Sequence, residues 1–141
     1  MPSKTGISIK NLDARKHSET PFVFEYIGPD GVSTGIKFHV IGAQARAAQE
    51  ATNRLVNERR RRDQAKAAAS GSRGEDFTPI EQDVEFGQKL AASRLVNWEG
   101  IDEPFSEQLA HELCEGNADI AQEILRQSNN LANFMKRSSP T

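Results

Sequence analysis

The chain has 141 residues, of which 36% are hydrophobic, below the roughly 45–50% of an average globular domain, so we expect a thin core. Its single cysteine, Cys114, excludes an internal disulfide, and no apolar run approaches the roughly 18 residues of a transmembrane helix. The polar N-terminus also lacks the apolar centre of a signal peptide. We therefore expect a soluble intracellular protein that does not associate with a membrane.

The formal net charge of −2 hides an uneven distribution along the chain. Residues 1–74 carry 13 basic and 7 acidic side chains, whereas residues 75–141 carry 5 basic and 13 acidic ones. The sign changes at residues 70–74, whose serine and glycine content is typical of a flexible linker. We therefore divide the chain into two regions at residue 74. We expect these regions to attract each other, within one chain or between the chains of a homo-oligomer.

The N-terminal region predicts a small amount of β-structure followed by a helix. Ile7 and Ile9 alternate with polar residues, which is typical of a short strand. Residues 21–27 and 32–41 are rich in aromatic and β-branched side chains and flank the turn at residues 28–31, so they predict a β-hairpin. Because an isolated hairpin is only marginally stable in water, it needs a further strand, a helix or another subunit.

Residues 43–69 contain no glycine or proline and consist mostly of strong helix formers. At ~1.5 Å per residue they predict a helix about 40 Å long. Its only large apolar residues are Leu55 and Val56, so the helix should project, or pack along its alanines against a partner.

Arg59, Arg60, Arg61 and Arg62 ring this helix with charge, because successive residues point about 100° apart. This basic patch is suited to phosphate or to an acidic protein, and it could equally be a solvated surface that docks on the acidic region. The chain is acidic as a whole and no base-stacking aromatics interleave the run, so we do not favour nucleic acid as a partner.

The C-terminal region predicts three helices. Thr78 and Pro79 are a cap and a first-turn proline for a helix that runs to about Val96. The following loop, residues 97–104, is expected to expose Trp98.

Two shorter helices follow that loop. Ser106 is expected to cap a helix over residues 107–115. Asn117 is expected to cap a last helix over residues 118–134. Together with the hairpin and the long helix, this predicts a mostly helical α+β protein.

No catalytic arrangement is apparent in the sequence. His111 and Cys114 lie three residues apart, but a structural zinc site normally needs four ligands. As a thiolate–imidazole dyad the pair lacks a third group that would orient the imidazole. Glu81, Asp83 and Glu85 stabilise a helix start and need no catalytic role. We therefore predict no metal, no cofactor and no enzymatic activity, and we expect Cys114 to be a small core residue.

The C-terminal region carries a recognisable order of aromatic, turn and cap residues. A helix leads into Val-x-Trp-x-Gly-Ile at residues 96–101, followed by Glu-Pro-Phe-Ser at residues 103–106. A short leucine-containing helix, a capped helix and a Ser-Asn…Asn-Phe ending complete the pattern. Over residues 77–137 this resembles the tail assembly chaperones of long-tailed bacteriophages and prophages.

The resemblance implies a non-enzymatic assembly factor. Such chaperones bind the helical tape measure protein, keep its apolar surface from aggregating and help to recruit tail tube subunits. They act in the cytoplasm of the infected bacterium and leave before the virion matures. Two alternatives remain open: a structural virion protein of the tail or connector, and a nucleic-acid-binding protein that uses the arginine-rich helix.

Trp98 is the only tryptophan, and two interpretations of it are compatible if its ring is half exposed. It is either a plug that closes the small helical core or an anchor for a partner, since tryptophan concentrates at binding hot spots. We predict a partner-binding surface that consists of Trp98, Ile101, Phe105 and Leu109. The hairpin would offer a β-edge to tube subunits or to another copy.

Overall fold

A computed structural model describes Gly6, residues 8–69 and residues 80–135, with side chains from residue 84 onward in the last range. The predicted linker at residues 70–74 and the predicted helix start at Thr78 and Pro79 lie outside these residues. The helices are α1 (Ala14–Ser18), α2 (Arg46–Ala69), α3 (Ile80–Arg94), α4 (Glu107–Gly116) and α5 (Ala118–Asn129). The strands are β1 (Phe22–Ile27), β2 (Ser33–Val40) and β3 (Leu95–Glu99), and short 3-10 helices span Ile9–Leu12 and Leu131–Asn133. The predicted mostly helical α+β fold is confirmed.

The chain begins with helical turns where a strand was predicted at Ile7 and Ile9. Ile7 lies outside the described residues, and Ile9 starts a 3-10 helix. The Ser8 hydroxyl accepts a hydrogen bond from the backbone N–H of Lys10 at 3.2 Å. Such local side-chain bonds favour a turn over an extended strand, which is why the alternation of the isoleucines is misleading here.

The predicted hairpin is present. Strands β1 and β2 pair antiparallel, with Phe24 opposite Phe38. The turn closes with a bond of 2.9 Å from the N–H of Gly28 to the carbonyl of Val32, and Gly31 adopts a φ of 80° that favours glycine.

The hairpin gains its missing support from a third strand that the sequence did not reveal. Contrary to prediction, the helix ends at Arg94 rather than at about Val96, and residues 97–104 are not all loop. Strand β3 pairs antiparallel with β2, so the strand order is β1-β2-β3 and Trp98 lies opposite Phe38. Pairing with the free hydrogen-bonding edge of β2 stabilises these residues as a strand, although the pattern of the preceding residues favours a helix.

One face of the sheet forms the core with α3, α4 and α5. The aromatic row across the three strands, Phe24, Phe38 and Trp98, packs with buried residues of these helices such as Cys114 and Ile124. The other face carries Lys37, His39 and Glu99, of which His39 and Glu99 pair at 2.7 Å, and it also exposes Val23. The two regions divided at residue 74 therefore share one sheet and one core.

Helix α2 packs along its alanines. Ala48 and Ala51 are buried, and Ala48 forms a small second cluster with Ile41 and Ala45, against which Val96 packs. Alanine removes little apolar area from water, so this cluster contributes less than the main core.

The predicted ends of the last two helices are only partly correct. The Ser106 hydroxyl caps α4 by accepting a bond from the N–H of Leu109 at 3.1 Å, as expected. Asn117 stands at the N-cap position of α5 but makes no side-chain cap hydrogen bond, and its amide N–H donates to the carbonyl of Leu113 at 3.0 Å. Helix α5 also ends at Asn129 rather than near Phe134, and a 3-10 helix follows it.

The first and last parts of the described chain meet. The rings of Phe22 and Phe134 lie edge to face with centroids 6.0 Å apart.

The connection after β2 packs tightly on α1. Gly42 passes so close to Ser18 that a Cβ at this glycine would lie 2.7 Å from the serine Cβ.

None of the helices in the described ranges has the length and apolarity to cross a bilayer.

Candidate functional site

The predicted partner-binding residues converge at one end of the core. Strand β3 supplies Trp98, the β3–α4 loop supplies Ile101, and α4 supplies Leu109. Together with Leu113 they line a groove of about 240 Å³ on the protein surface, which we call the β3–α4 groove. It is smaller than the roughly 300–1,000 Å³ of a typical small-molecule site, which suits it to a few side chains of a partner.

Trp98 forms the buried base of the groove and not an exposed loop anchor. Its side chain is 7% exposed, so the expectation of an exposed tryptophan is wrong and the interpretation as a core plug is correct. The indole N–H donates to the carbonyl of Glu103 at 2.8 Å, which ties the β3–α4 loop to the ring. The polar end of the ring is thus satisfied while its apolar part packs in the core.

Phe105 supports the groove without lining it. Its ring stands edge to face on Trp98, with centroids 5.1 Å apart and an interplanar angle of 78°. Of the four predicted residues, Trp98, Ile101 and Leu109 line the groove and Phe105 packs behind them.

Gly100 fixes the path of the loop as it leaves β3. Its φ is 84°, and a Cβ at this position would lie 2.5 Å from the carbonyl oxygen of Gly35. Only glycine fits such a position, so the turn that brings Ile101 toward α4 depends on it.

Three residues of the groove were not predicted as partner-binding residues: Glu103, Glu112 and Leu113. Leu113 follows Leu109 by four residues on a predicted helix, so the spacing places both on one helix face. The two glutamates carry no such signal, because exposed acidic residues occur throughout this region. Their place at the groove depends on the tertiary fold.

The basic patch is split between two environments. The guanidinium of Arg59 lies 5.1 Å from the centre of the Phe86 ring, and Arg62 lies 3.9 Å from the carboxylate of Glu85 on α3. Arg60 and Arg61 are exposed. The two regions therefore attract each other within one chain. Of the four arginines, Arg59 and Arg62 contact side chains of α3, which leaves Arg60 and Arg61 available at the surface.

Cys114 and His111 do not form a reactive pair. Cys114 is fully buried, and burial raises the pKa of its thiol to about 11, so it is protonated at neutral pH. His111 is exposed on the same helix. Within the part of the chain that the structure describes, no three His, Cys, Asp or Glu side chains are placed to hold a metal ion.

A buried arginine joins α3 to α5 away from the groove. Arg94 is 5% exposed, and its guanidinium donates to the hydroxyl of Ser128 at 2.8 Å and to the side-chain oxygen of Asn129 at 3.1 Å. Desolvation lowers the pKa of Arg94 from its ordinary value. Ser128 in turn donates to the carbonyl of Ile41 at 2.6 Å, so this cluster holds the β2–α2 connection in place.

Two other depressions are less suited to an apolar partner. One is lined by residues of α1 and α2 that include Glu19, Arg46 and Glu50. The other lies between Tyr26 and the start of α5. Neither collects several large aliphatic side chains, as the β3–α4 groove does.

Comparison of the chain with models of known protein families, with characterised proteins and with solved structures gives no match. The functional argument therefore depends on the groove and on the sequence pattern that forms it.

Proposed function

We propose that the protein is a non-enzymatic tail assembly chaperone of a long-tailed bacteriophage, which binds the tape measure protein in the host cytoplasm. The observation that carries the proposal is the β3–α4 groove, where Trp98, Ile101 and Leu109 meet. These residues belong to the segment that resembles the chaperone family. Half-buried apolar side chains at one end of a core are suited to an apolar helix of a partner.

The chemistry of the described residues also supports a binding role. The buried thiol of Cys114 is protonated, and the groove contains no nucleophile paired with a base. The groove offers apolar area and two carboxylates, which a partner can contact by packing and by charge.

A second surface is proposed for recruiting tail tube subunits. Strand β1 is at one edge of the sheet, with Val23 and Ile27 42% and 50% exposed. An edge strand can extend a sheet into another protein by backbone hydrogen bonds.

Co-expression with the tape measure protein of the same phage tests the function. We expect a soluble complex on size-exclusion chromatography with light scattering, and an insoluble tape measure protein when it is made alone. Ile101→Gln should weaken this complex, because it places a polar side chain at the groove.

Val84→Gln is the matched control, since Val84 is 49% exposed on α3 and does not line the groove. The Val84→Gln variant should form the complex with the tape measure protein as well as the unchanged protein does. A tape measure protein that is soluble alone and does not bind would contradict the proposal. If the chain were then found at fixed stoichiometry in purified particles, it would be a structural virion protein, which is the alternative.

A further inference from the structure

We infer that the β3–α4 groove selects an amphipathic helix whose apolar anchor residues are flanked by lysine or arginine. This inference rests on the proposed function, because it specifies the chemistry of the partner segment at the same groove. It adds an electrostatic requirement to the apolar one.

The segment that forms the groove carries acidic side chains and no lysine or arginine. Residues 95–125 contain eight aspartates and glutamates and no lysine or arginine. Glu103 and Glu112 line the groove itself, are exposed, and form no ion pair with another residue in the described ranges. A partner that brings basic side chains to this place gains charge attraction that no residue of the groove supplies, whereas an acidic partner is repelled.

The apolar wall of the groove is suited to a helix. Leu109 and Leu113 follow each other by one turn of α4 and form a ridge along it. A ridge of this spacing fits between the side chains of a second helix. Glu112, three residues after Leu109 on α4, flanks this ridge and also lines the groove, so a partner helix that packs on the leucines brings its flanking residues beside a carboxylate.

Three synthetic helical peptides test the selection. They share one stripe of leucines, contain no tryptophan, and carry lysine, glutamine or glutamate at the positions that flank the stripe. Isothermal titration calorimetry measures their affinities. The emission of Trp98, the only tryptophan, reports whether the peptide occupies the groove.

At low salt we expect the lysine peptide to bind about tenfold more tightly than the glutamate peptide, since each exposed charge contributes about two- to fivefold. The difference should shrink at about 0.5 M salt, because the Debye length falls to a few ångströms. Equal affinities of the three peptides would overturn the charge selection and leave apolar docking in place.

The double variant Glu103→Gln and Glu112→Gln should weaken binding of the lysine peptide about fivefold and leave the glutamine peptide unchanged. The matched control is Glu50→Gln with Glu58→Gln, which changes the net charge equally on the exposed side of α2. An equal loss in both double variants would mean that net charge, and not the groove, determines the affinity, and would overturn the inference.

The function and the inference fail in different ways. If no peptide binds but the tape measure complex forms, the inference is overturned and the chaperone uses another surface. If the peptides bind with the expected charge order but no tape measure complex forms, the proposed function is overturned and the groove has a different basic partner.

Discussion

Burial of Cys114 makes the stability of the protein dependent on pH in the alkaline range. The folded state raises the pKa of its thiol from 9.0 to about 11. The pKa of the thiol is higher in the folded state than in the unfolded state. The protonated thiol therefore contributes in full to the free energy of unfolding below about pH 9, and this contribution is lost as the pH rises from 9 to 11. We expect the free energy of unfolding to fall by about 2–3 kcal/mol over this range.

Urea denaturation at several pH values measures this change. Cys114→Ala provides the comparison, since it lacks the thiol while other groups titrate as before. The difference in the free energy of unfolding between the protein and its Cys114→Ala variant should narrow toward pH 11. A difference that stays constant with pH would contradict the raised pKa of Cys114.

Ser128 is the hydrogen-bonding centre of the Arg94 cluster. Ser128→Ala removes a donor to the carbonyl of Ile41 and an acceptor for Arg94. Because these groups are buried, we expect a loss of about 1–3 kcal/mol in the free energy of unfolding, measured by urea denaturation. Ser93→Ala is the control: the Ser93 hydroxyl donates only to Leu90 within its own helix, so it should cost less than about 0.5 kcal/mol.

At the scale of elements, the arginine run joins α2 to α3 through its first and last members, Arg59 and Arg62. A double-mutant cycle with Arg59→Gln and Phe86→Leu should give a coupling energy of about 0.5–1 kcal/mol, because the guanidinium stacks on the ring. The same cycle with the exposed Arg60 should give a coupling near zero. Equal couplings would mean that the run acts only through its overall charge.

The sequence predicted elements that are defined locally and missed the one that depends on distant pairing. The hairpin turn at Gly28 and the cap at Ser106 each have their partners within a few residues. Strand β3 pairs with residues about sixty positions earlier, such as His39 with Asn97. Its first two residues continue the pattern of the preceding helix and its last three were expected in a loop, so no local feature distinguishes them as a strand.

The groove was predictable only in part, because some of its features depend on contacts between residues that are distant in the sequence. The apolar residues were found around Trp98, because tryptophan concentrates at binding hot spots. That Trp98 is its base and Phe105 its support could not be found, because both facts depend on which side of β3 faces the core. The place of the two glutamates depends on the path of the loop at Gly100.

At the scale of the whole molecule, Phe134 closes the core against the first strand. Phe134 is 9% exposed and contacts the ring of Phe22. We expect Phe134→Ala to cost about 3–5 kcal/mol, a large share of the stability of a small domain, as measured by thermal and urea unfolding. Leu131→Ala, at a position that is 40% exposed, should cost about 1 kcal/mol. Similar losses in the two variants would place Phe134 outside the cooperative core.

The contact between Phe22 and Phe134 also determines when the chain can fold. A ribosome delivers β1 and β2 first, but the strand that completes their sheet and the ring that covers Phe22 come from the second region. Until that region has emerged, Phe24 and Phe38 have no core to enter, so the fold is completed only after Phe134 has left the ribosome. During translation, the nascent hairpin therefore exposes apolar side chains of its own, which is the kind of surface that the finished protein is proposed to cover on its partner.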